Sequence, residues 1–281
     1  MLSSRSRQGF TLIELMLSLV LVLAVSGALL RLVLSSERLS RDQAARIAVQ
    51  SSMRGAVLVV SNELRELSTA SGGAGPDNDI LGLGATALSY RAMRGFGLTC
   101  QPLSAGLLRL SRSSFTGFRD PQPGRDSAWV YAPGLRSPAD SGWIPSAITS
   151  VSTSVPCPGT TGPALTLSVV ASPPLVPLPV GTPVRVYELM QVASYRSEGQ
   201  FWLGLRALST GEAIQPLFGP LTADGFRLAF ADAAGLATAL PGAVRSIQVT
   251  LTGMSGALDP VSRAPLIEQV STRIQLRNAR P

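Results

Sequence analysis

An apolar segment dominates the start of the chain and runs over residues 10–30. Its 21 residues would extend about 31 Å as an α-helix, because each residue adds about 1.5 Å. The hydrocarbon core of a bilayer is about 30 Å thick, so this length matches one membrane span. A single carboxylate, Glu14, interrupts the segment. Because an acid inside a span is costly to insert, its presence predicts a functional role for Glu14.

The segment that follows the span keeps a helical pattern but mixes charged residues into it. Apolar residues recur every three or four positions, as they do along one stripe of an amphipathic helix. The stripe consists of Ala45, Val49, Met53, Ala56, Val60, Leu64 and Leu67. A glycine-rich stretch at residues 71–76 ends the pattern. The sequence therefore predicts one helix from about Thr11 to about Ser68, with its first half in the membrane.

The middle of the chain changes to short strands and turns. Strands are predicted where apolar residues alternate or cluster, at residues 88–93, 107–110, 128–131 and 165–170. Serine, glycine and proline are frequent at residues 137–163, which predicts a loop. Four prolines at residues 173–179 predict an extended link and a sub-domain boundary.

The last hundred residues give the clearest strand pattern. Apolar and polar residues alternate at residues 226–230, 247–251 and 270–276, and Glu198-Gly199 separates two strand-like runs as a hairpin turn does. A period of two means that one face of each strand is buried, which suits antiparallel sheets. The amphipathic half of the helix is the available cover for that face. The predicted fold class is therefore α+β, with a long N-terminal helix packed on an antiparallel sheet.

Composition excludes several kinds of site. All 24 basic residues are arginine, and the sequence contains neither lysine nor histidine. The absence of histidine removes the Ser-His-Asp triad and the paired-histidine zinc helix, and the absence of lysine removes a Ser-Lys dyad. The arginines are scattered along the sequence, so they do not predict a nucleic-acid interface. We expect no enzyme activity, no cofactor and no small-molecule substrate.

Two cysteines, Cys100 and Cys157, are predicted to form one disulfide if the domain is exported to an oxidising compartment. The alternative is two separate buried thiols, since sequence does not show proximity. Zinc would require four ligands, which the chain does not supply. Oxygen ligands cluster at Asp77, Asn78 and Asp79, but three polar residues in a glycine-rich loop more often form a turn than a calcium site. We therefore predict no metal site.

The basic leader and the start of the span contain the motif GFTLIELM at residues 9–16. This motif closely resembles the cleavage and methylation site of type IV prepilins and type II secretion pseudopilins. The resemblance implies that a prepilin peptidase cuts between Gly9 and Phe10 and methylates the new amino terminus of Phe10. Glu14 lies four residues after that terminus and could pair with its own α-amino group or with a neighbour's. The resemblance implies the neighbour's, and hence a role in filament assembly with other pilins.

The residue patterns and the resemblance together divide the chain. The resemblance implies a leader at residues 1–9, and the patterns predict a transmembrane half-helix at 10–30, an amphipathic half-helix at 31–70, a variable loop and strand region at 71–179 and a C-terminal sheet region at 180–281. The resemblance also implies a single pass through inner-membrane lipid, with the C-terminal domain on the periplasmic side. The positive-inside rule alone would point the other way, because Arg31, Arg38, Arg41 and Arg46 follow the span.

Several alternatives stay open at the level of sequence. An ordinary signal peptide would be cleaved before Gly27, and a plain single-span anchor would carry a binding module that never polymerises. A competence-type pseudopilin would assist DNA uptake. The closing residues 274–278 resemble the end of large minor pilins of the W type and pseudopilins of the J type, and the length of the chain favours a minor subunit.

Overall fold

The computed structural model describes residues 11–69, 78–102, 106–133, 142–171, 175, 177–258 and 264–279. One helix, α1, spans Leu12–Arg65. Thr11 caps its start, with its hydroxyl oxygen accepting a hydrogen bond from the Glu14 backbone N–H at 3.4 Å. The predicted helix is confirmed, and it ends three residues earlier than expected because Ser68 pairs with another strand.

Fourteen described segments are strands. In chain order they are β1 Ser68–Thr69, β2 Ile80–Leu83, β3 Ala87–Leu98, β4 Leu107–Leu110, β5 Thr116–Gly117, β6 Asp126–Ala132, β7 Gly142–Ser152, β8 Leu165–Ala171, β9 Pro183–Ser197, β10 Gln200–Ala207, β11 Gln215–Ala231, β12 Ser246–Leu258, β13 Pro265–Gln275 and β14 Asn278–Ala279. A 3-10 turn, Pro241–Ala243, lies between β11 and β12.

Twelve of these strands form one sheet with antiparallel pairing, which confirms the predicted fold class. Strand β9 is its centre. Along one edge β9 pairs first with β6 and then with β10, and along the other edge it pairs with β3. The order continues from β10 through β11 and β12 to β13, and from β6 through β7 and β8 to β4. The predicted hairpin at Glu198-Gly199 joins β9 to β10, and both turn residues have positive φ.

The first hydrophobic core lies between α1 and the sheet. The second half of α1 contributes Met53, Ala56, Val57, Val60 and Leu64. The sheet contributes Leu88, Tyr90, Met190, Val192, Leu203, Phe226, Val249, Leu251 and Ile274 among others. Burying one such leucine stabilises the fold by about 1.5–3 kcal/mol. The amphipathic half of α1 therefore covers the sheet, as predicted. Ala45 and Val49, at the start of the predicted stripe, are only half-buried.

The second core lies inside a small barrel. Strands β3, β9, β6, β7, β8 and β4 are neighbours in that order. A bridge between Thr99 and Leu110 joins the end of β3 to β4 and closes the ring. The interior is aliphatic and consists of Leu108, Leu110, Ala128, Val130, Ile148, Leu165, Leu167, Val169, Leu178, Val184 and Val186. Strand β9 therefore serves both cores.

The prediction of a loop over residues 137–163 is wrong for its middle part. Strand β7 occupies Gly142–Ser152 and pairs with both β6 and β8. Its inward positions include Ser146 and Ile148, which are 2% and 3% exposed, whereas Pro145 and Ala147 face outward. A buried serine and an outward proline conceal the period of two that apolar residues would have shown. The predicted boundary at residues 173–179 falls partly outside the described residues.

Candidate functional site: the exposed half of the N-terminal helix

The first half of α1 contacts nothing else in the described structure. Every residue from 11 to 41 is exposed, and the apolar window that could cross a membrane has no buried share. Its large apolar side chains include Leu12, Ile13, Leu19, Leu23 and Leu29, all more than half exposed. Exposing this apolar surface to water is unfavourable, and soluble monomers rarely expose large continuous apolar patches. The helix is long and apolar enough to span a bilayer.

Glu14 lies in the first turn of α1. A carboxylate there is favoured by the helix dipole, whose positive end is the amino terminus. Its side chain is exposed, and no described residue makes an ion pair with it. Gly9 and Phe10, the residues of the predicted cleavage site, lie outside the described residues. The geometry leaves the Glu14 carboxylate free to meet a positive group of another chain.

Charged residues appear where the apolar segment ends. Arg31, Arg38 and Arg46 are exposed, and Arg41 pairs with Glu37 one turn earlier at 3.4 Å. After Glu14, these are the first charged side chains on α1, and they favour water or lipid headgroups over hydrocarbon. They mark the boundary of the span on the side of the folded domain.

The docked half of α1 is fixed to the sheet by charge as well as by apolar contact. Glu63 forms an ion pair with Arg94 of β3 at 2.7 Å. Arg94 also donates from Nε to the Glu188 carboxylate of β9 at 2.6 Å. Arg119 approaches the same carboxylate at 3.4 Å, and Arg125 donates to its other oxygen. Glu188 is 2% exposed, so this layer of charge is buried between the two cores.

Each buried acid in this layer has arginine partners. Asp126, with a fully buried side chain, accepts two hydrogen bonds from Arg119 at 2.5 and 2.8 Å. Arg125 reaches Glu212 at 2.7 Å. Burial raises the pKa of Glu188, and the hydrogen bonds from Arg94 and Arg125 lower it by more, so the pKa lies below its usual value. The layer is therefore a set of compensated charges and not a poised acid or base.

Sequence reasoning missed this charged layer, although one signal for it was visible. On β9, Val184, Val186, Met190 and Val192 share the inward parity, and Glu188 stands in the middle of that series. An acid on the buried face of a strand requires positive partners. The identity of those partners depends on the pairing of β3, β6 and β9, which the sequence does not give.

The end of α1 is tied to the opposite terminus. Glu66 pairs with Arg277 at 3.0 Å, and β1 pairs with β14. Asp79 accepts a hydrogen bond from the Ser68 N–H at 2.7 Å, and Asn78 accepts one from the Ile80 N–H. Asn78 and Asp79, two of the three residues considered above as calcium ligands, therefore stabilise the local fold. The third, Asp77, lies outside the described residues.

Cys100 and Cys157 are joined in a disulfide, with their Cα atoms 5.7 Å apart. Cys100 follows β3, and Cys157 lies between β7 and β8. The bond therefore ties two connections at one end of the barrel. It lies beside the second core, and neither cysteine belongs to α1.

One comparison with known proteins bears on the N terminus. Residues 4–30 match the family model described as the prokaryotic N-terminal methylation motif. Comparison with curated proteins and with solved structures finds no further match. The match covers residues 4–9 of the predicted leader and the apolar segment of α1 up to Leu30, so the chain is prepilin-like over that segment.

Proposed function

We propose that this chain is a minor structural subunit, a minor pilin or pseudopilin, of a type IV pilus or a type II secretion pseudopilus. One observation carries the proposal: the methylation motif leads directly into a helix half that is apolar, unpartnered and marked by a single acid, Glu14. A helix that the folded domain leaves bare needs lipid or other helices around it. A filament subunit meets both, first in the membrane and then in the filament.

In this proposal, a prepilin peptidase cleaves between Gly9 and Phe10 and methylates the new terminus. The α-amino group so formed carries a positive charge into an apolar setting. Glu14 of an adjoining subunit neutralises it, because a paired charge is far less costly than an isolated one at low dielectric. The partners are therefore the peptidase, inner-membrane lipid and other pilins or pseudopilins.

The domain built on the second half of α1 would face the periplasm. Within the described part of the chain, α1 is the one helix long and apolar enough to span a membrane, and the folded part contains both the disulfide and most of the described charge. A disulfide persists in an oxidising compartment, which favours the extracytoplasmic side. The role is structural, with no catalysis. The closing residues 274–278 support a large minor subunit of the W or J type.

The test is the entry of variants into filaments. Glu14→Leu makes the span more apolar, so it should insert and be cleaved normally. It should enter filaments at least about tenfold less than wild type, because the neighbour's amino terminus loses its partner. The measurement is the ratio of this protein in sheared filaments to that in membranes. Glu14→Asp should be intermediate, because its shorter side chain reaches less far.

Glu37→Leu is the matched control. It makes the same change on an exposed acid of the same helix, beyond the apolar segment, and should leave the ratio unchanged. An unchanged ratio for Glu14→Leu would contradict the assembly role. Absence of the wild-type protein from filaments would favour the alternative of an anchored binding module. DNA retention that falls with salt would favour a competence-type pseudopilin instead.

A further inference from the structure

A row of three neighbouring cavities lies along the outer face of β3 and β9, opposite the face that carries the first core. Their volumes are about 630, 360 and 330 Å³. The first and third share Arg91, and the second and third share Tyr187. We call this row the distal groove, because Glu66 and Ser68, which follow the end of α1, line its second cavity. Arg91 and Tyr187 alternate with the inward residues Tyr90 and Val186, which places them on the outer face.

The largest cavity of the distal groove has apolar walls. Ile80, Leu81, Leu240 and Pro241 line it, and Leu81 and Leu240 are 42% and 69% exposed. The carboxylate of Asp232, which also lines it, accepts hydrogen bonds from its own loop at Ala234 and Leu236, each at 2.9 Å. Its volume lies in the range of pockets that hold a small ligand or a protruding side chain. An apolar group is the occupant that such walls favour.

Two arginines stacked on aromatic rings line the rest of the distal groove. Arg91 lies over Trp129 at 4.8 Å, and Arg185 lies over Trp143 at 4.3 Å. Tyr187 links them, with its ring edge-on to Trp129 at 6.0 Å and its hydroxyl 3.4 Å from Arg185. Arg91 also donates one N–H to the Asn78 carbonyl at 2.6 Å. Stacking restricts each guanidinium group and leaves its remaining N–H donors for an anionic oxygen.

Among the described residues, no carboxylate lies within 4.0 Å of either stacked arginine. Burial lowers the pKa of Arg91, and the carboxylate of Asp79, which lines the second cavity, raises it by less. The ion pairs among the described residues do not include Arg91 or Arg185. By contrast, Arg94, Arg119 and Arg125 of the charged layer have acidic partners within 4.0 Å. Arg196, Arg206 and Arg273 of the sheet also form none of these ion pairs, so it is the stacking on Trp129 and Trp143 that distinguishes Arg91 and Arg185. The distal groove thus offers two oriented cations beside an apolar cavity.

Two arginines beside an apolar cavity favour one class of anionic ligand over others. A nucleic acid would need open aromatic faces for its bases, but the guanidinium groups cover one face of both Trp129 and Trp143. Neither a nucleic acid nor an acidic polysaccharide carries an aliphatic group to fill the cavity beside Leu240. A peptide can supply both features from adjacent residues. We propose that the distal groove binds an extended acidic peptide segment of a partner protein, with one apolar side chain in the large cavity and carboxylates on Arg91 and Arg185.

The test uses the full chain in phosphatidylcholine nanodiscs and fluorescence anisotropy. The probe is a labelled ten-residue peptide of Asp and Glu with a central Leu-Phe pair, and its control has Ser-Ser at the centre. The first peptide should bind at least about tenfold more tightly than the second, because only it fills the apolar cavity. Polyglucuronate and a thymidine oligonucleotide serve as competitors and should displace the peptide only weakly.

Two matched pairs of variants locate the binding. Arg185→Gln should weaken binding about tenfold or more, because it removes a charge-assisted contact. Arg227→Gln makes the same change on an exposed arginine that pairs with Asp224 and lies outside the distal groove, and should have no effect. Leu240→Ser should weaken binding, whereas Leu236→Ser, at 66% exposure and outside the cavity lining, should not.

Because both leucines are exposed, neither change threatens folding. Equal binding of the two peptides, or unchanged affinity in Arg185→Gln, would overturn the proposal. If either polymer displaces the peptide strongly, and does so equally well in wild type and in Leu240→Ser, the distal groove is a general polyanion site. That result would overturn the peptide assignment. No saturable binding at millimolar peptide would overturn it as well.

Discussion

The two halves of α1 belong to one uninterrupted helix and meet opposite surroundings. From Leu12 to residue 41 every side chain is exposed, whereas Met53, Ala56, Val60 and Leu64 are almost completely buried. Leucine and valine are abundant in both halves, so composition alone does not separate them. The arrangement of these residues does separate them, because the helix is apolar on all sides up to Leu30, apart from Glu14, whereas the second half is apolar on one stripe. A helix apolar all round needs a nonaqueous surrounding, and a striped helix needs one partner face.

The largest expected effect comes from the loss of the disulfide, which ties the barrel beside the docked half of α1. Replacing both Cys100 and Cys157 with serine should lower the free energy of unfolding by about 4 kcal/mol, as the chain-entropy model gives for a separation of 57 residues. Urea unfolding followed by tryptophan fluorescence measures it, since Trp129 and Trp143 lie on barrel strands. Reductant should shift the wild type equally and leave the double variant unchanged. Equal stability of the two proteins would contradict the prediction.

The same substitution in each half of α1 sharpens the comparison. Leu64→Ala should destabilise the folded domain by about 3 kcal/mol, because it leaves a cavity in the first core. Leu39→Ala removes an equal side chain at a position that is 60% exposed and should change stability by less than about 0.5 kcal/mol. Urea unfolding in neutral detergent measures both. Equal effects would mean that Leu39 also has a partner within the chain.

The charged layer under the docked half should make stability depend on pH. The folded-state pKa of Glu188 is lowered, so its contribution is present above the usual value of 4.5 and is lost as the pH falls through the lowered pKa. Glu188→Gln should cost about 2 kcal/mol at pH 7 and should flatten the decline of stability in acid. Urea unfolding between pH 3 and pH 7 checks this, within about the range where carboxylates titrate.

Glu212→Gln provides the matched control for the charged layer. Glu212 also pairs with Arg125 but its side chain is 38% exposed, so its loss should cost less than about 1 kcal/mol. An equally steep acid decline in Glu188→Gln would show that other groups control the pH dependence.

The smallest expected effect lies on the exposed half of α1. Arg41→Ala breaks the pair with Glu37, in which the two side chains are 80% and 57% exposed. Such a pair contributes about 0.3–0.5 kcal/mol, and salt should erase the difference. A loss above about 1 kcal/mol in urea unfolding would show that this half of α1 is supported within the chain.

These two halves also show how far the sequence could predict the structure. The stripe from Met53 to Leu67 is buried as expected, because a helical period on one face depends only on local spacing. The alternation of apolar and polar residues predicted β12 and β13, because that pattern also depends only on local spacing. Strand β7 was not, because Ser146 takes a buried place that an apolar residue would usually mark. The partners of Glu188 and the distal groove depend on which strands lie side by side, which local patterns do not encode.

The state of the mature N terminus tests the central claim most directly. Intact-mass analysis of the protein extracted from membranes should show loss of residues 1–9 and one added methyl group on Phe10. Gly9→Val should leave the uncleaved precursor in the membrane, because the peptidase requires a small residue before the cut. A mature chain that begins at Gly27, or one that retains its leader without methylation, would contradict the account of α1 as a processed assembly helix.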